Sequence, residues 1–186
     1  MNREEILEIL NLKHVILYGG SEFGRKTLIE AVSEGLDKDK TDVFRIPPGI
    51  RSLEEFIDTA RRIFPIKPLL KDQTVEKMSY DQINDVLLDW VEERERSTFI
   101  IWEEIESLEP KDDLYSFINE FVTRKYILEH YFRSEQKLRL LSSSSVDLGD
   151  YFNSAKIYFG RDPNDPLTDD QIVRNSLEIV NLNESS

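Results

Sequence analysis

The chain contains no cysteine, so neither a disulfide nor a thiolate-ligated metal is available, and a reducing cytoplasmic setting is the default. Histidine is nearly as scarce. His14 and His130 stand apart, neither has a metal-ligand neighbourhood, and core or surface positions account for both. No apolar run approaches the ~20 residues that a bilayer span needs, and the charged opening Met1-Asn2-Arg3-Glu4-Glu5 is unlike a signal peptide. Cations are few: 24 Lys and Arg face 37 Asp and Glu, a net charge of −13. Broad nucleic-acid surfaces rely on basic patches that release counterions, so this balance argues against one. Arg61, Arg62, Lys67 and Lys71 lie close in sequence but read as solvated loop charges. What remains, 186 residues with 39% hydrophobic and 10% aromatic content, suits one well-buried core.

The most informative stretch runs from Lys13 to Ile29. An apolar run, Val15-Ile16-Leu17-Tyr18, ends at Gly19, Gly24 follows, and an amphipathic segment starts straight after. This is the strand, loop and helix layout of a phosphate-binding P-loop, in which backbone N–H groups and a helix N-terminus wrap an anion. The consensus G-x-x-x-x-G-K-[ST] places Lys on the β/γ-phosphates and the hydroxyl on Mg²⁺. Counting from Gly19 keeps both glycines but puts Arg25 at the lysine and Lys26 at the hydroxyl. Counting from Gly20 restores Lys26 and Thr27 but replaces the second glycine with Arg25, where close approach to phosphate favours glycine. The Gly19 register is preferred, and the other stays open. A plain strand-to-helix turn without a ligand is the competing explanation.

Apolar periodicity organises the rest. Arg3 to Leu10 reads as a short helix, Lys26 to Gly35 as a helix burying Leu28, Ile29 and Val32, and Asp42 to Ile46 as a strand stopped by Pro47-Pro48-Gly49. The boxes Ser52-Leu53-Glu54-Glu55 and Ser79-Tyr80-Asp81-Gln82 each open a helix, the second burying Trp90. Thr98-Phe99-Ile100-Ile101-Trp102 is continuously apolar, as a central parallel strand should be. A long helix over about 113–132, strands at Leu138–Leu141 and Ala155–Phe159, and a final helix over roughly 168–180 complete the pattern. The expectation is a three-layer α/β/α domain with a mainly parallel five-stranded sheet over 1–180, and a flexible tail at 181–186. Gly19 and Glu103 are expected on neighbouring strands.

The apolar strand ends in two acids, Glu103 and Glu104. A carboxylate at a strand end can hold the Mg²⁺ water shell, and a second beside it can polarise the attacking water. With the glycine loop, this Walker B-like segment resembles the additional-strand P-loop ATPases, particularly the AAA+ and STAND groups and archaeal-type ATPases. The resemblance covers roughly residues 12–168. It implies ATP or ADP held by Gly19, Gly20, Gly24, Arg25, Lys26 and Thr27. Glu103 would be the metal-side acid, Glu104 the catalytic acid, and Ser142 or Ser143 the sensor contacting the γ-phosphate. By position Arg161, in Tyr158-Phe159-Gly160-Arg161, is the candidate arginine finger, though surface charge is its preferred role.

The departures shape the functional expectation. Arg25 replaces the loop lysine, Lys26 the Mg²⁺-binding hydroxyl, Glu103 the aspartate, and too few residues follow for a helical lid domain. An internal Lys26–Glu103 ion pair is expected to stand in for the metal, because unpaired buried charge is costly. The expectation is a pseudo-ATPase: ATP affinity weak, Mg²⁺ disfavoured, hydrolysis slight, and an assembly or regulatory role with a protein partner or second copy. The alternative is an active ATPase working through Lys26 and Thr27. A nucleotide kinase fits less well, since no Arg-rich lid is evident.

Overall fold

The computed structural model describes residues 1–64, 96–152 and 166–183. The expected helix with Trp90, the strand at 155–159, Lys67, Lys71 and Arg161 lie outside the described residues. Helix α1 (Arg3–Leu10) opens with a capping box in which Asn2 accepts from the Glu5 N–H and Glu5 accepts from the Asn2 N–H. Strand β1 (His14–Tyr18) leads to α2 (Glu22–Glu34), then β2 (Thr41–Ile46) and α3 (Leu53–Ile63). The Ser52 cap read from the sequence forms at 3.2 Å from the Glu55 N–H. Strand β3 (Ser97–Trp102) runs through a 3₁₀ turn into α4 (Lys111–Tyr126), which continues as a π-helical turn to Tyr131. After β4 (Leu138–Ser144) and the short α5 (Gly149–Phe152), α6 (Asp169–Ser176) and β5 (Leu177–Asn181) end the described chain.

The five strands form one sheet in the order β2-β3-β4-β1-β5, every pair parallel. All carboxyl ends therefore reach one edge, where ligands sit in sheets of this kind. Helices α1 and α2 cover one face through Ile6, Leu10, Ile29 and Val32, packed on Val15, Leu17, Ile101 and Leu141. Helices α3, α4 and α6 cover the other with Phe56, Phe117, Phe121 and Ile172 against Ile16, Ile100, Trp102 and Leu140. Aromatic rings lock this second layer: Trp102 lies 5.2 Å from Phe56 and 5.0 Å from Phe117 between centroids. The three-layer arrangement and the parallel five-stranded sheet are as expected from the sequence.

Two sequence expectations are corrected by the topology. Leu177 to Val180, expected as the last turn of a helix, is strand: α6 stops at Ser176 and the chain pairs in parallel with β1, from His14↔Leu177 to Tyr18↔Asn181. Leucine, isoleucine and valine there gain more from the open edge of β1 than from another helical turn. The glycine loop and Glu103 are not on neighbouring strands. Strand β4 lies between β1 and β3, separating them by roughly 10 Å.

At the opposite edge, a buried polar network anchors β1 and β4. Arg139, 1% exposed, donates to Leu10 O (2.7 Å) and Asn11 O (3.0 Å), satisfying carbonyls at the end of α1. It also pairs with Glu129 at 2.6 Å, and Glu129 binds Lys125 at 2.7 Å. His14, fully buried, places Nε2 at 2.9 Å from Phe121 O, while its Nδ1 accepts from the Leu140 N–H at 3.0 Å. A main-chain N–H can only donate, so the ring is the neutral Nε2–H tautomer. Burial, reinforced by the Arg139 and Lys125 cations, holds the His14 imidazole well below its usual range.

Candidate functional site

The loop after β1 is short. Helix α2 begins at Glu22, not at Lys26, because Ser21 acts as its N-cap and its Oγ accepts from the Gly24 N–H at 3.0 Å. Gly24, expected as the second loop glycine, therefore lies in the first turn of the helix. Only Gly19, Gly20 and Ser21 separate strand from helix. Gly19 (φ +72°) and Gly20 (φ +61°) adopt the left-handed conformation that lets so short a loop reverse direction.

Arg25 turns back onto this loop. Its Nη1 donates to Gly19 O at 2.9 Å and to Gly20 O at 3.1 Å, and the residue is buried. From the other side, the Gly20 N–H donates to Asn183 Oδ1 at 2.8 Å. Lys26 and Thr27, the pair of the alternative register, are exposed on α2. Beside the loop, a groove of about 510 Å³ runs between the start of α1 and α2, edged by Phe23, Thr27, Leu28 and Leu182. Phe23 projects from it at 80% exposure.

Across the edge, Glu103 and Glu104 follow β3, both half-buried. Glu104 sits at φ +57°, a conformation sparsely populated outside glycine, and its N–H donates to Ser143 Oγ at 3.3 Å. Strand β4 continues past Leu141 to Ser144, so the serines are strand residues. Ser143 lies between the acids and the loop strand, registered with Leu17. Ser142, registered with Ile16 and Trp102, is fully buried and its Oγ has no hydrogen-bond partner. No Lys26–Glu103 ion pair forms among the described residues: Lys26 is in solvent and β4 stands between the two elements. Among those residues no three His, Asp or Glu side chains converge as a metal site.

The topology thus brings Gly19, Gly20, Arg25, Ser143, Glu103 and Glu104 to one edge, and leaves Ser142 in the core, Lys26 in solvent and Thr27 on the rim of the groove beside the loop. Two residues at this edge were not legible as site residues. Asn181 and Asn183 belong to the stretch read as a tail, yet a Cβ at Gly19 would come within 2.9 Å of Asn181 Oδ1 and 2.5 Å of Asn183 Nδ2. The signal present in the sequence was Asn-x-Asn after a β-branched pair, a turn signature at a strand end.

No family model and no curated protein matches the chain. Among solved structures it is similar to the ORC2 protein of Aeropyrum pernix (ADPNP-ADP complexes), with 16% identity and a TM-score of 0.59, covering 96% of this chain and 46% of that one. It is also similar to Cdc6p from Pyrobaculum aerophilum, at 17% identity and TM-score 0.55 over 95% of this chain and 44% of that one. A chain of Drosophila ORC bound to AT-rich DNA and Cdc6 matches at 12% identity and TM-score 0.56, over 96% of this chain and 51% of that one. The chain shares the fold of these solved structures, helices on both faces of a parallel five-stranded sheet. The chain spans about half the length of these proteins.

Proposed function

We propose that this chain is a pseudo-ATPase domain with the AAA+ fold, whose glycine loop is filled by its own side chains. The observation that carries this reading is Arg25, whose guanidinium is bound to the loop carbonyls of Gly19 and Gly20. A phosphate cradle needs free N–H groups; here Gly20 N–H and Gly24 N–H already donate to Asn183 and Ser21. Lys26 is exposed on α2 and the Arg25 guanidinium is committed to the loop carbonyls, which supports a loop poor in groups for an Mg²⁺–nucleotide and leaves Glu103 and Glu104 without a hydrolytic role in this reading. Nucleotide binding is accordingly weak, and the domain serves assembly or regulation through a protein partner or a second copy.

The Drosophila ORC structure is bound to DNA, so duplex DNA is the competing partner. Against it stands the net charge of −13, which repels phosphate backbones. No described helix is long and apolar enough to cross a membrane.

The test is a thermal-shift titration with ATP and ADP, with and without Mg²⁺, alongside fluorescence anisotropy on duplex DNA at physiological ionic strength. A specific ligand raises the melting temperature by mass action. Small shifts unaffected by chelation, and no DNA binding, are expected. Tight Mg²⁺-dependent ATP binding would overturn the reading in favour of an active ATPase through Lys26 and Thr27.

A further inference from the structure

The glycine loop has a second internal partner, contributed from the far end of the chain. Strands β1 and β5 are parallel and in register at Tyr18↔Asn181, so both release the chain at the same edge. The Leu182 N–H donates to Tyr18 O at 2.9 Å, which draws the chain after β5 over the loop. Asn181 Oδ1 then accepts from the Asn183 N–H at 3.0 Å, closing an Asx turn. That turn aims the Asn183 carboxamide at the loop, where its Oδ1 takes the Gly20 N–H at 2.8 Å and its Nδ2 packs on Gly19. Leu182 Cβ approaches within 3.5 Å of where a Cβ at Gly20 would sit.

Each contact has its own geometric reason, and together they are specific. Gly19 has no room for a side chain because the two asparagines occupy that space. An amide oxygen on Gly20 N–H stands where an anionic oxygen would stand, but without charge. Arg25 closes the loop from the α2 side, and the asparagine turn from the β5 side.

We propose that the Asn181–Asn183 turn is a latch. It holds the glycine loop closed, and occupation of the loop by a phosphate-class anion excludes docking of the β5 end. This rests on the reading of a self-filled loop and adds its regulation: whatever draws the chain away from β5 opens the loop.

The experiment is Asn183→Ala in the full chain, read by amide exchange at Gly20 and by calorimetric titration with inorganic tripolyphosphate. Losing one net hydrogen bond should speed Gly20 exchange by roughly tenfold. Tripolyphosphate affinity should rise by a comparable factor. Asn183→Asp keeps the acceptor and adds a negative charge; it should preserve Gly20 protection and bind tripolyphosphate more weakly than Asn183→Ala. Circular dichroism checks that both variants fold, and Asn183 is exposed.

Unchanged Gly20 exchange in Asn183→Ala, or faster exchange with no gain in anion affinity, overturns the latch. If the wild-type chain already binds Mg²⁺–ATP tightly, the self-filled reading fails by its own measurement. The latch then stands only if Asn183→Ala binds tighter still, and falls if the two bind alike.

Discussion

Arg25 is bonded to Gly19 through the main chain: its Nη1 lies 2.9 Å from the Gly19 carbonyl oxygen, and the same nitrogen lies 3.1 Å from that of Gly20. By motif spacing this cation stands where a phosphate-binding lysine belongs. In the fold it is buried and committed to two main-chain carbonyls.

Arg25→Ala is expected to destabilise the chain by about 2–3 kcal/mol, the range for losing hydrogen bonds to a charged donor and orphaning their acceptors. Arg25→Lys should recover only part of this, since a single ammonium lacks the planar fork of a guanidinium. Urea denaturation midpoints compare the three proteins, and a neutral Arg25→Ala would show that the brace contributes nothing.

Gly19→Ala should cost about 1–3 kcal/mol from the left-handed backbone alone, with more from the 2.5 Å approach to Asn183 Nδ2. Adding Asn183→Ala removes that contact but leaves the φ of +72° and the 2.9 Å approach to Asn181 Oδ1. The double variant is expected to be less destabilised than the two singles summed. Strict additivity in thermal melts would mean that the asparagine does not crowd the glycine.

Lys26→Ala and Thr27→Ala lie on the exposed face of α2 and should each change stability by less than about 0.5 kcal/mol. Nucleotide affinity should not move. A tenfold loss of ATP affinity in either variant would place the phosphates in the alternative register.

Acid should weaken the fold through His14. Its folded pKa is held well below the ordinary value of 6.5, chiefly by burial and then by Arg139 and Lys125. Below pH 6.5 the unfolded imidazole takes up a proton that the folded one refuses, so stability present above that pH falls as pH drops toward the folded value. The slope from this one group is at most about 1.4 kcal/mol per pH unit. His14→Gln should start less stable and lose that slope; denaturation curves at pH 7.5, 6.5 and 5.5 would show parallel losses if His14 is not the titrating group.

The Glu129 carboxylate joins Arg139 and Lys125. Glu129→Gln leaves two buried cations without it, a change worth about 3–5 kcal/mol for a fully buried pair and less here because Glu129 is partly exposed. Arg139→Met should also destabilise, by orphaning Leu10 O and Asn11 O. Combined with Glu129→Gln it should cost less than the sum, as read by chemical denaturation.

The sheet was legible because its strands announce themselves locally. Val15 to Tyr18 and Thr98 to Trp102 are short, almost wholly apolar runs that no helical face explains, and Leu138 to Leu141 is apolar apart from Arg139. Leu177 to Val180 was misread because it follows a capped helix, Thr168 to Ser176, without a breaker. Its state depends on the free edge of β1, far away in sequence. The start of α2 was placed too late for a related reason. Motif spacing asked for a loop as far as Gly24, while the Ser21 hydroxyl supplied an N-cap that starts the helix at Glu22.

By itself the sequence determined the class of fold, the strand that carries the glycine loop and the strand that ends in two acids, since periodicity and turn residues are local properties of the chain. Only the tertiary structure decided that β4 separates those strands, that Lys26 and Glu103 do not meet, and that Asn183 and Arg25 do meet the loop. Strand order and the partners of a backbone N–H are settled by non-local pairing, where every buried donor must find an acceptor, and a motif read along the chain carries no record of which distant side chain will supply it.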